Sequence, residues 1–222
     1  MTQVSIRRLA VLALAAVLLS SLAGCWNPFA PDEGKPKPRP PADFRLRTTP
    51  ANVMHNMQLA YVYMDAEEYL DCLSEDFIFF ANEDDVGNGV PESWEKDTER
   101  NVHENMFSDS PPDPALTVES IQLTLTLTNR DSIPSAIPEH PWDYIFTESV
   151  ILYVNLYTGL TYYANAPSEY RLRVDQDQVG PNGEQLWEVY EWSDLDNTKR
   201  GALQDPGVEN TTVAELKAKY LD

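Results

Sequence analysis

The chain has 222 residues and a formal charge of −20, because 36 acidic residues outnumber 16 basic ones. So negative a surface repels the phosphate backbone, which excludes nucleic acid as a partner. The only cysteines are Cys25 and Cys72, so a disulfide framework is excluded too, and stability must come from a hydrophobic core.

The first 24 residues have the pattern of an export signal. Arg7 and Arg8 precede an unbroken run of Leu, Val and Ala over residues 9–19. A permanent membrane-spanning helix needs about 20 apolar residues, so this run is too short for one. Its length and flanks are typical of a signal peptide instead. Residues 1–24 are therefore predicted to be a signal peptide, and the motif that follows them indicates a lipoprotein signal peptide.

Leu22-Ala23-Gly24-Cys25 follows the apolar run and resembles the bacterial lipobox. The resemblance implies that Cys25 is lipidated, with palmitate among its acyl chains, and that this lipid is the protein's contact with the membrane. Trp26 stands where an Asp would resemble the inner-membrane retention signal. The expected location is thus the cell envelope, and the outer membrane, on its periplasmic or surface side, if the cell has two membranes.

Residues 25–47 are predicted to form an extended, lipid-anchored tether. Six prolines and several charged residues leave this stretch little apolar surface to bury. Its physical role would be to hold the domain, residues 48–222, away from the lipid headgroups.

The domain is predicted to begin with two helices joined by a short linker. Thr49 can cap the first helix, Pro50 suits its first turn, and apolar residues then recur at helical spacing as far as Met64. Asp65 with Glu68 resembles a capping box for the second helix. Cys72 lies on the apolar side of that helical stretch and is predicted to be a small buried residue.

A short strand and a third helix are predicted next. Residues 76–80 are mostly aromatic and branched, which favours a strand, and residues 83–89 are typical of a loop. The third helix is predicted from Pro91 to about Phe107, with Trp94, Val102 and Met106 among the residues on one stripe.

After a proline-rich turn the hydrophobic period changes from helical to alternating. Ile121, Leu123, Leu125 and Leu127 alternate with polar residues, which predicts a half-buried strand. Further strands are predicted at about 144–157, 160–164, 169–175 and 185–193, and a short helix at 212–220. Helices first and consecutive strands afterwards indicate an α+β fold, with helices on one face of a strongly bent antiparallel sheet.

Three motifs stand out within residues 49–193: Thr49-Pro50, Tyr69-Leu70-Asp71-Cys72-Leu73-Ser74-Glu75-Asp76-Phe77 and Leu186-Trp187-Glu188-Val189-Tyr190-Glu191-Trp192-Ser193-Asp194. With them, this stretch resembles the nuclear transport factor two-like (NTF2-like) superfamily, also called SnoaL-like or ketosteroid-isomerase-like. The resemblance implies a cone-shaped, cystatin-like α+β domain with a ligand pocket between the sheet and the helices. The tail at 212–217 is similar to the ending of uncharacterised bacterial lipoproteins of this kind. The superfamily includes isomerases, cyclases, dehydratases and binding domains, so the resemblance leaves function open.

Enzymes of this superfamily often place an Asp or His in the pocket for proton transfer, so Asp76 and His103 are the catalytic candidates. Each also has a simpler interpretation. Asp76 can be a turn or cap residue before its strand, and His103 a surface or edge histidine. We favour these simpler interpretations, and therefore predict no catalytic residue.

Aromatic residues are the other candidates for the pocket, although they can equally be core and sheet packing. Trp187 and Trp192 are predicted on opposite faces of the last strand, because an odd separation changes face. Tyr190 shares the parity of Trp192. The candidate lining residues are Tyr61, Trp94, Tyr163, Tyr190 and Trp192.

No metal site and no cofactor are predicted. Asp175 and Asp177 begin like a calcium loop, but Val179 and Leu186 stand where that loop needs oxygen ligands. The sequence also lacks HExxH, CxxC, a Gly-rich phosphate loop and Gly-x-Ser-x-Gly.

Three functions are weighed for the domain. The favoured hypothesis is a surface-tethered, non-enzymatic domain that binds a small apolar ligand, a peptide or another envelope protein. The first alternative is an enzyme that uses an Asp or His in the cone. The second is a structural, envelope-assembly protein whose sheet pairs with a partner or with a second copy as a homodimer. Thr124, Thr126 and Thr128 indicate a polar outer face, which argues against a tight obligate dimer.

Overall fold

The computed structural model describes residues 42–136, 138, 140, 142–195 and 205–221. The predicted signal peptide, Cys25 and most of the predicted tether lie outside these residues. Within the described part of the chain, none of the helices combines the length and the apolar character needed to cross a bilayer.

Helices come first along the domain, and long strands follow. The helices are α1 (Pro50–Tyr63), α2 (Ala66–Asp71), α3 (Glu83–Gly87), α4 (Lys96–Met106) and α5 (Val213–Ala218). The strands are β1 (Leu73–Phe80), β2 (Ser93–Glu95), β3 (Val118–Pro134), β4 (Trp142–Leu156), β5 (Thr161–Val179), β6 (Gln185–Asp194) and β7 (Val208–Asn210).

The predicted starts of the first two helices are confirmed. The Thr49 side chain accepts a hydrogen bond from the Asn52 amide at the start of α1, and Asp65 accepts one from the Glu68 amide at the start of α2. Such bonds satisfy amides that have no partner within the helix. Both signals are local, which is why the sequence revealed them.

Two local predictions between β1 and α4 are wrong. The third helix begins at Lys96 and not at Pro91, because residues 93–95 pair with β1 as the short strand β2. Residues 83–87 form the helix α3 where a loop was predicted, and the Asn82 side chain caps its first turn.

The seven strands form one sheet in the order β2-β1-β6-β5-β4-β3, with β7 beside β5. Most neighbours are antiparallel, but β1 runs parallel to β6, and β7 runs parallel to β5. The predicted α+β class is therefore confirmed, whereas the purely antiparallel sheet is corrected to a mixed one that is not closed into a barrel. Helix α1 packs across β3 and β6 on the face that we call the inner face.

Pro167 does not interrupt the chain's longest strand. The sequence predicted two pieces here, at 160–164 and 169–175, yet β5 runs through both. Residues 161–163 pair with β7, and pairing with β6 begins at Ser168. Proline is tolerated in a sheet where the pairing on one side is interrupted, and Pro167 lies in that gap.

A β-bulge in β6 changes which residues face the core. Arg171 is opposite Glu191, but Leu172 is opposite Val189, so β6 carries one extra residue at Tyr190. An extra residue reverses the alternation beyond it. Trp187 and Trp192 consequently share the inner face, where Trp187 packs against Tyr144. The prediction that these tryptophans lie on opposite faces is wrong for this reason.

The end of the predicted tether is part of the folded domain. The Arg45 amide donates to Asn56 Oδ1 at 2.8 Å, and Asn56 Nδ2 donates to the Arg45 carbonyl at 2.7 Å. The Arg47 side chain is buried, donates to the Trp187 carbonyl and forms ion pairs with Asp71 and Asp175. The chain is thus tied to α1 and β6 before residue 48.

Cys72 is 1% exposed, which confirms its prediction as a buried residue. Burial raises the pKa of its thiol to about 12. In a Cys25→Ser chain, which keeps Cys72 as its single thiol, we expect the reaction with a disulfide reagent at pH 8 to be slower than in the unfolded chain by about a hundredfold or more. The rate in concentrated urea is the control. Equal rates in buffer and urea would contradict the burial of this side chain.

Candidate functional site

The interior of the domain is organised around one carboxylate, Glu99. Glu99 and His103 lie four residues apart on α4, so both project from one side of the helix. Glu99 is 0% exposed and accepts three hydrogen bonds. The donors are Tyr69 Oη at 2.5 Å, Trp94 Nε1 at 2.6 Å and Lys217 Nζ at 2.6 Å.

Glu99 and Lys217 form a buried ion pair. Burial by itself would raise the pKa of Glu99, but the Lys217 charge, the neighbouring His103 and the donated hydrogen bonds lower it to about 2. Burial lowers the pKa of Lys217 to about 8 against the opposing effect of Glu99. Both groups are therefore charged at neutral pH, and each neutralises the other.

Lys217 also lies against two aromatic rings. Its Nζ is 3.6 Å from the centroid of the Trp192 ring and 4.2 Å from that of the Phe79 ring. A cation over an aromatic face is attracted by the ring's quadrupole. Helix α5 is thereby attached to the inner face of β1 and β6 by charge as well as by apolar contact.

His103 is entirely buried, so its prediction as a surface or edge histidine is wrong. Its Nδ1 is 2.9 Å from the Glu99 carbonyl, which can only accept, so Nδ1 carries the proton. Nε2 then accepts from Tyr61 Oη at 2.8 Å. Burial lowers the pKa of His103 to about 4, which leaves the ring neutral at pH 7. Both ring nitrogens are occupied, and neither is available to a substrate.

Asp76, the other catalytic candidate, lies on the opposite face of the sheet. Its side chain is 67% exposed and forms a bidentate ion pair with Arg173. The hydrogen bonds from Arg173 lower the pKa of Asp76. The two candidates are thus separated by the sheet, and cannot act together.

The predicted lining residues divide between the two faces. Tyr61, Trp94 and Trp192 are brought together around Glu99, where each is 5% exposed or less. Tyr163 lies on the outer face against Tyr153, with ring centroids 4.8 Å apart. Tyr190 lies there too, 5.3 Å from the Arg173 guanidinium, because the bulge places it outside.

Sequence reasoning missed Glu99, Lys217 and Tyr69. The one available signal was the spacing of Glu99 and His103, which share a helical side with the apolar stripe of α4. Lys217 gave a weaker signal, as a charge next to Leu216 on the short amphipathic helix α5. Neither signal identifies its partner, since the two charges are 118 residues apart.

Two clefts on the surface of the described residues are large enough to hold a small molecule. One of about 490 Å³ lies beside α2 and is lined mainly by charged residues, among them Glu68, Asp71 and Arg100. Another of about 580 Å³ lies where β5 and β6 meet the loop before β4. Among the residues whose positions are described, no three His, Cys, Asp or Glu side chains are grouped closely enough to hold a metal ion.

Comparison with known proteins bears on the fold and does not identify a function. No family model matches the chain, and no curated protein matches it either. Solved structures that resemble it include an NTF2-like protein of unknown function in nutrient uptake from Rhodospirillum rubrum, at 15% identity and a TM-score of 0.41 over 65% of this chain and 95% of that one.

Two further structures resemble the chain to a similar extent. A conserved protein from Planctomyces limnophilus has 12% identity and a TM-score of 0.46 over 65% of this chain and 91% of that one. A supposed aromatic ring hydroxylase from Novosphingobium aromaticivorans has 14% identity and a TM-score of 0.45 over 65% and 84%.

The fold resembles that of NTF2-like proteins. Helices come first and long strands follow, as the sequence predicted, although the sheet is mixed and not purely antiparallel. The identities and TM-scores are too low to carry any argument about activity. What the protein does must be argued from its own residues.

Removal of the buried cation tests the role of the ion pair. In Lys217→Met, Glu99 keeps its burial but loses its counter-charge, so we expect the free energy of unfolding in urea to fall by about 3–5 kcal/mol. The double variant Glu99→Gln, Lys217→Met should recover most of this loss. Lys219→Met, at a partly exposed lysine two residues on, is the matched control and should cost less than about 1 kcal/mol. Equal losses in the two single lysine variants would refute the ion pair's role.

The buried His103 predicts a specific acid sensitivity. Its pKa is about 4 when folded and 6.5 in the unfolded chain, so the unfolded chain binds the extra proton as pH falls through this window. The His103 contribution to stability should thus fall by up to about 3 kcal/mol between pH 6.5 and pH 4.

The measurement is the free energy of unfolding against pH for the wild type and for His103→Gln. The pKa values of Glu148 and Glu188, raised by burial to about 7, act in the opposite direction but are common to both chains. Only the wild type should show the loss that belongs to His103. Parallel profiles would contradict it, and His55→Gln at a partly exposed position serves as the control.

Proposed function

We propose that the protein is a lipid-anchored lipoprotein of the bacterial cell envelope, and that its NTF2-like domain acts by binding and not by catalysis. Acylated Cys25 would attach it to the membrane, with the domain on the extracytoplasmic side. The signal pattern of residues 1–24 and the lipobox support the anchor.

The observation that carries the binding proposal is that the Glu99 network fills the domain's interior. Tyr61, Tyr69 and His103 are in ring contact with one another, and Lys217 lies between two aromatic rings. Glu99, Tyr69, Trp94, Lys217, His103 and Tyr61 are hydrogen-bonded to other groups of this network. An arrangement that is satisfied internally stabilises a core, and it leaves no reacting group for a substrate.

The positions of the two catalytic candidates support the same conclusion. A general acid or base must come within about 2.6–3.2 Å of the atom whose proton it transfers. His103 has both nitrogens engaged inside the core, and Asp76 is held as a carboxylate by Arg173 on the exposed face. An enzyme that relies on either residue is therefore disfavoured.

The outer face of the sheet favours solvation over a tight homodimer. Arg171 and Arg173 each form ion pairs with two carboxylates, so this face is charged and internally paired. An obligate dimer interface is usually more apolar than this. The carboxylates are Asp76, Glu169, Glu188 and Glu191.

Lipidation is tested by metabolic labelling with a palmitate analogue in a bacterial host. We expect the wild type to be labelled and to sediment with membranes, and Cys25→Ser to lose both the label and the sedimentation. Cys72→Ser, at the buried cysteine, is the matched control and should behave like the wild type. Membrane sedimentation of an unlabelled Cys25→Ser chain would show that something other than lipid anchors the protein.

A further inference from the structure

A second group of buried polar atoms lies on the inner face of the sheet, apart from the Glu99 network. Glu148 on β4 is opposite Ser168 on β5, and Ser168 is in turn opposite Asp194 on β6. The next rung along the same face pairs Tyr170 with Trp192. Directly opposite residues in a sheet have Cβ atoms about 4.5–5.5 Å apart, which applies to Glu148 and Ser168. Trp192 is diagonal to Ser168, at about 7–8 Å, a separation that a long aromatic side chain can bridge.

Three atoms of this group are buried without a hydrogen-bond partner. They are Glu148 Oε2, Ser168 Oγ and Trp192 Nε1, and their residues are 3%, 0% and 2% exposed. Buried polar atoms in native proteins nearly always have a partner, and each exception calls for an explanation. Three neighbouring exceptions on one face have a common explanation if a single bound molecule supplies all three partners. We call Glu148, Ser168 and Trp192 the Glu148 cluster.

The chemistry of the three atoms defines what could bind. A carboxylate oxygen accepts, an indole N–H donates, and a hydroxyl can do either. The molecule must therefore donate to Glu148 and accept from Trp192. Tyr170, whose ring lies 4.8 Å from that of Trp192, and Phe146, which is opposite Tyr170, give the cluster aromatic neighbours.

The charge of the site favours a cation. No Lys, Arg or His in the described ranges forms an ion pair with Glu148. The buried ammonium of Lys217 is paired with Glu99. The described carboxylates do not form a metal-ion cluster, so an organic cation fits better than a metal. Aromatic faces beside a carboxylate are also the surroundings in which organic ammonium groups are bound.

We propose that the Glu148 cluster binds a small organic molecule carrying a primary ammonium group next to a hydroxyl or carbonyl oxygen. The ammonium donates to Glu148 and Ser168, and the oxygen accepts from Trp192 Nε1. Burial raises the pKa of Glu148 to about 7, and a bound cation reverses that shift because it stabilises the carboxylate. This assigns a ligand class to the binding function proposed above and rests on it.

The test is calorimetric titration of the whole chain with ethanolamine, which has an ammonium group next to a hydroxyl. Ethylene glycol, which has the same size but no charge, is the matched probe. We expect ethanolamine to bind and to shift the Trp192 indole N–H resonance, and ethylene glycol to do neither. Glu148→Gln and Ser168→Ala should each weaken ethanolamine binding, by about tenfold or more for Glu148→Gln.

Stability separates a binding site from a structural role. Glu148→Gln removes a buried carboxylate charge and Ser168→Ala removes a buried hydroxyl, so the ligand-free chain should keep or raise its Tm while it loses affinity. Glu169→Gln, the same exchange one residue from Ser168 on the outer face, is the control and should leave affinity unchanged.

Three results would overturn the proposal. They are no binding of ethanolamine, equal binding of ethylene glycol, or unchanged affinity in Glu148→Gln. Recovery of ethanolamine in altered form would instead overturn the non-enzymatic function. The palmitate labelling is independent of all these measurements, so a failure of the anchor and a failure of this site are distinguishable.

Discussion

The ion pair between Glu99 and Lys217 is the interaction on which the rest of the domain depends. From α4, Glu99 holds α2 through Tyr69, β2 through Trp94, and α5 through Lys217. Lys217 in turn contacts the sheet through the rings of Phe79 and Trp192. A buried charge is costly unless it is neutralised and hydrogen-bonded, so these elements must assemble in one arrangement.

That constraint also determines where a ligand could enter. The inner face around Phe79 and Trp192 is filled by Lys217 and the aromatic rings, and the Glu99–Lys217 ion pair is matched there, whereas Trp192 Nε1 has no partner. One rung further along β4 and β5, Glu148 and Ser168 have no such match. The same sheet face thus contains a closed structural network beside an unsatisfied one. Function in this protein is better sought at the unsatisfied one, because a satisfied network gains nothing from a ligand.

Local features of the fold were predictable from the sequence, and long-range features were not. The caps at Thr49 and Asp65 and the burial of Cys72 depend on near neighbours in the chain, and all three predictions are confirmed. The faces of Trp187 and Trp192 were predicted wrongly, because a bulge arises from pairing between strands and leaves no mark on the alternation itself. The candidate site was harder still to predict from the sequence. Glu148 gave no signal of its own, because the other inner positions of its strand are apolar.

The separation of Glu99 and Lys217 by 118 residues has a consequence for biosynthesis. A ribosome that adds about 5–20 residues per second needs about 6–24 s to reach Lys217 after Glu99 has been made. Throughout that interval the carboxylate cannot be buried favourably, since its counter-ion does not yet exist. The core therefore closes only after the segment around Lys217 has been synthesised. A nascent chain that remains open for so long is compatible with the export that we propose for this protein.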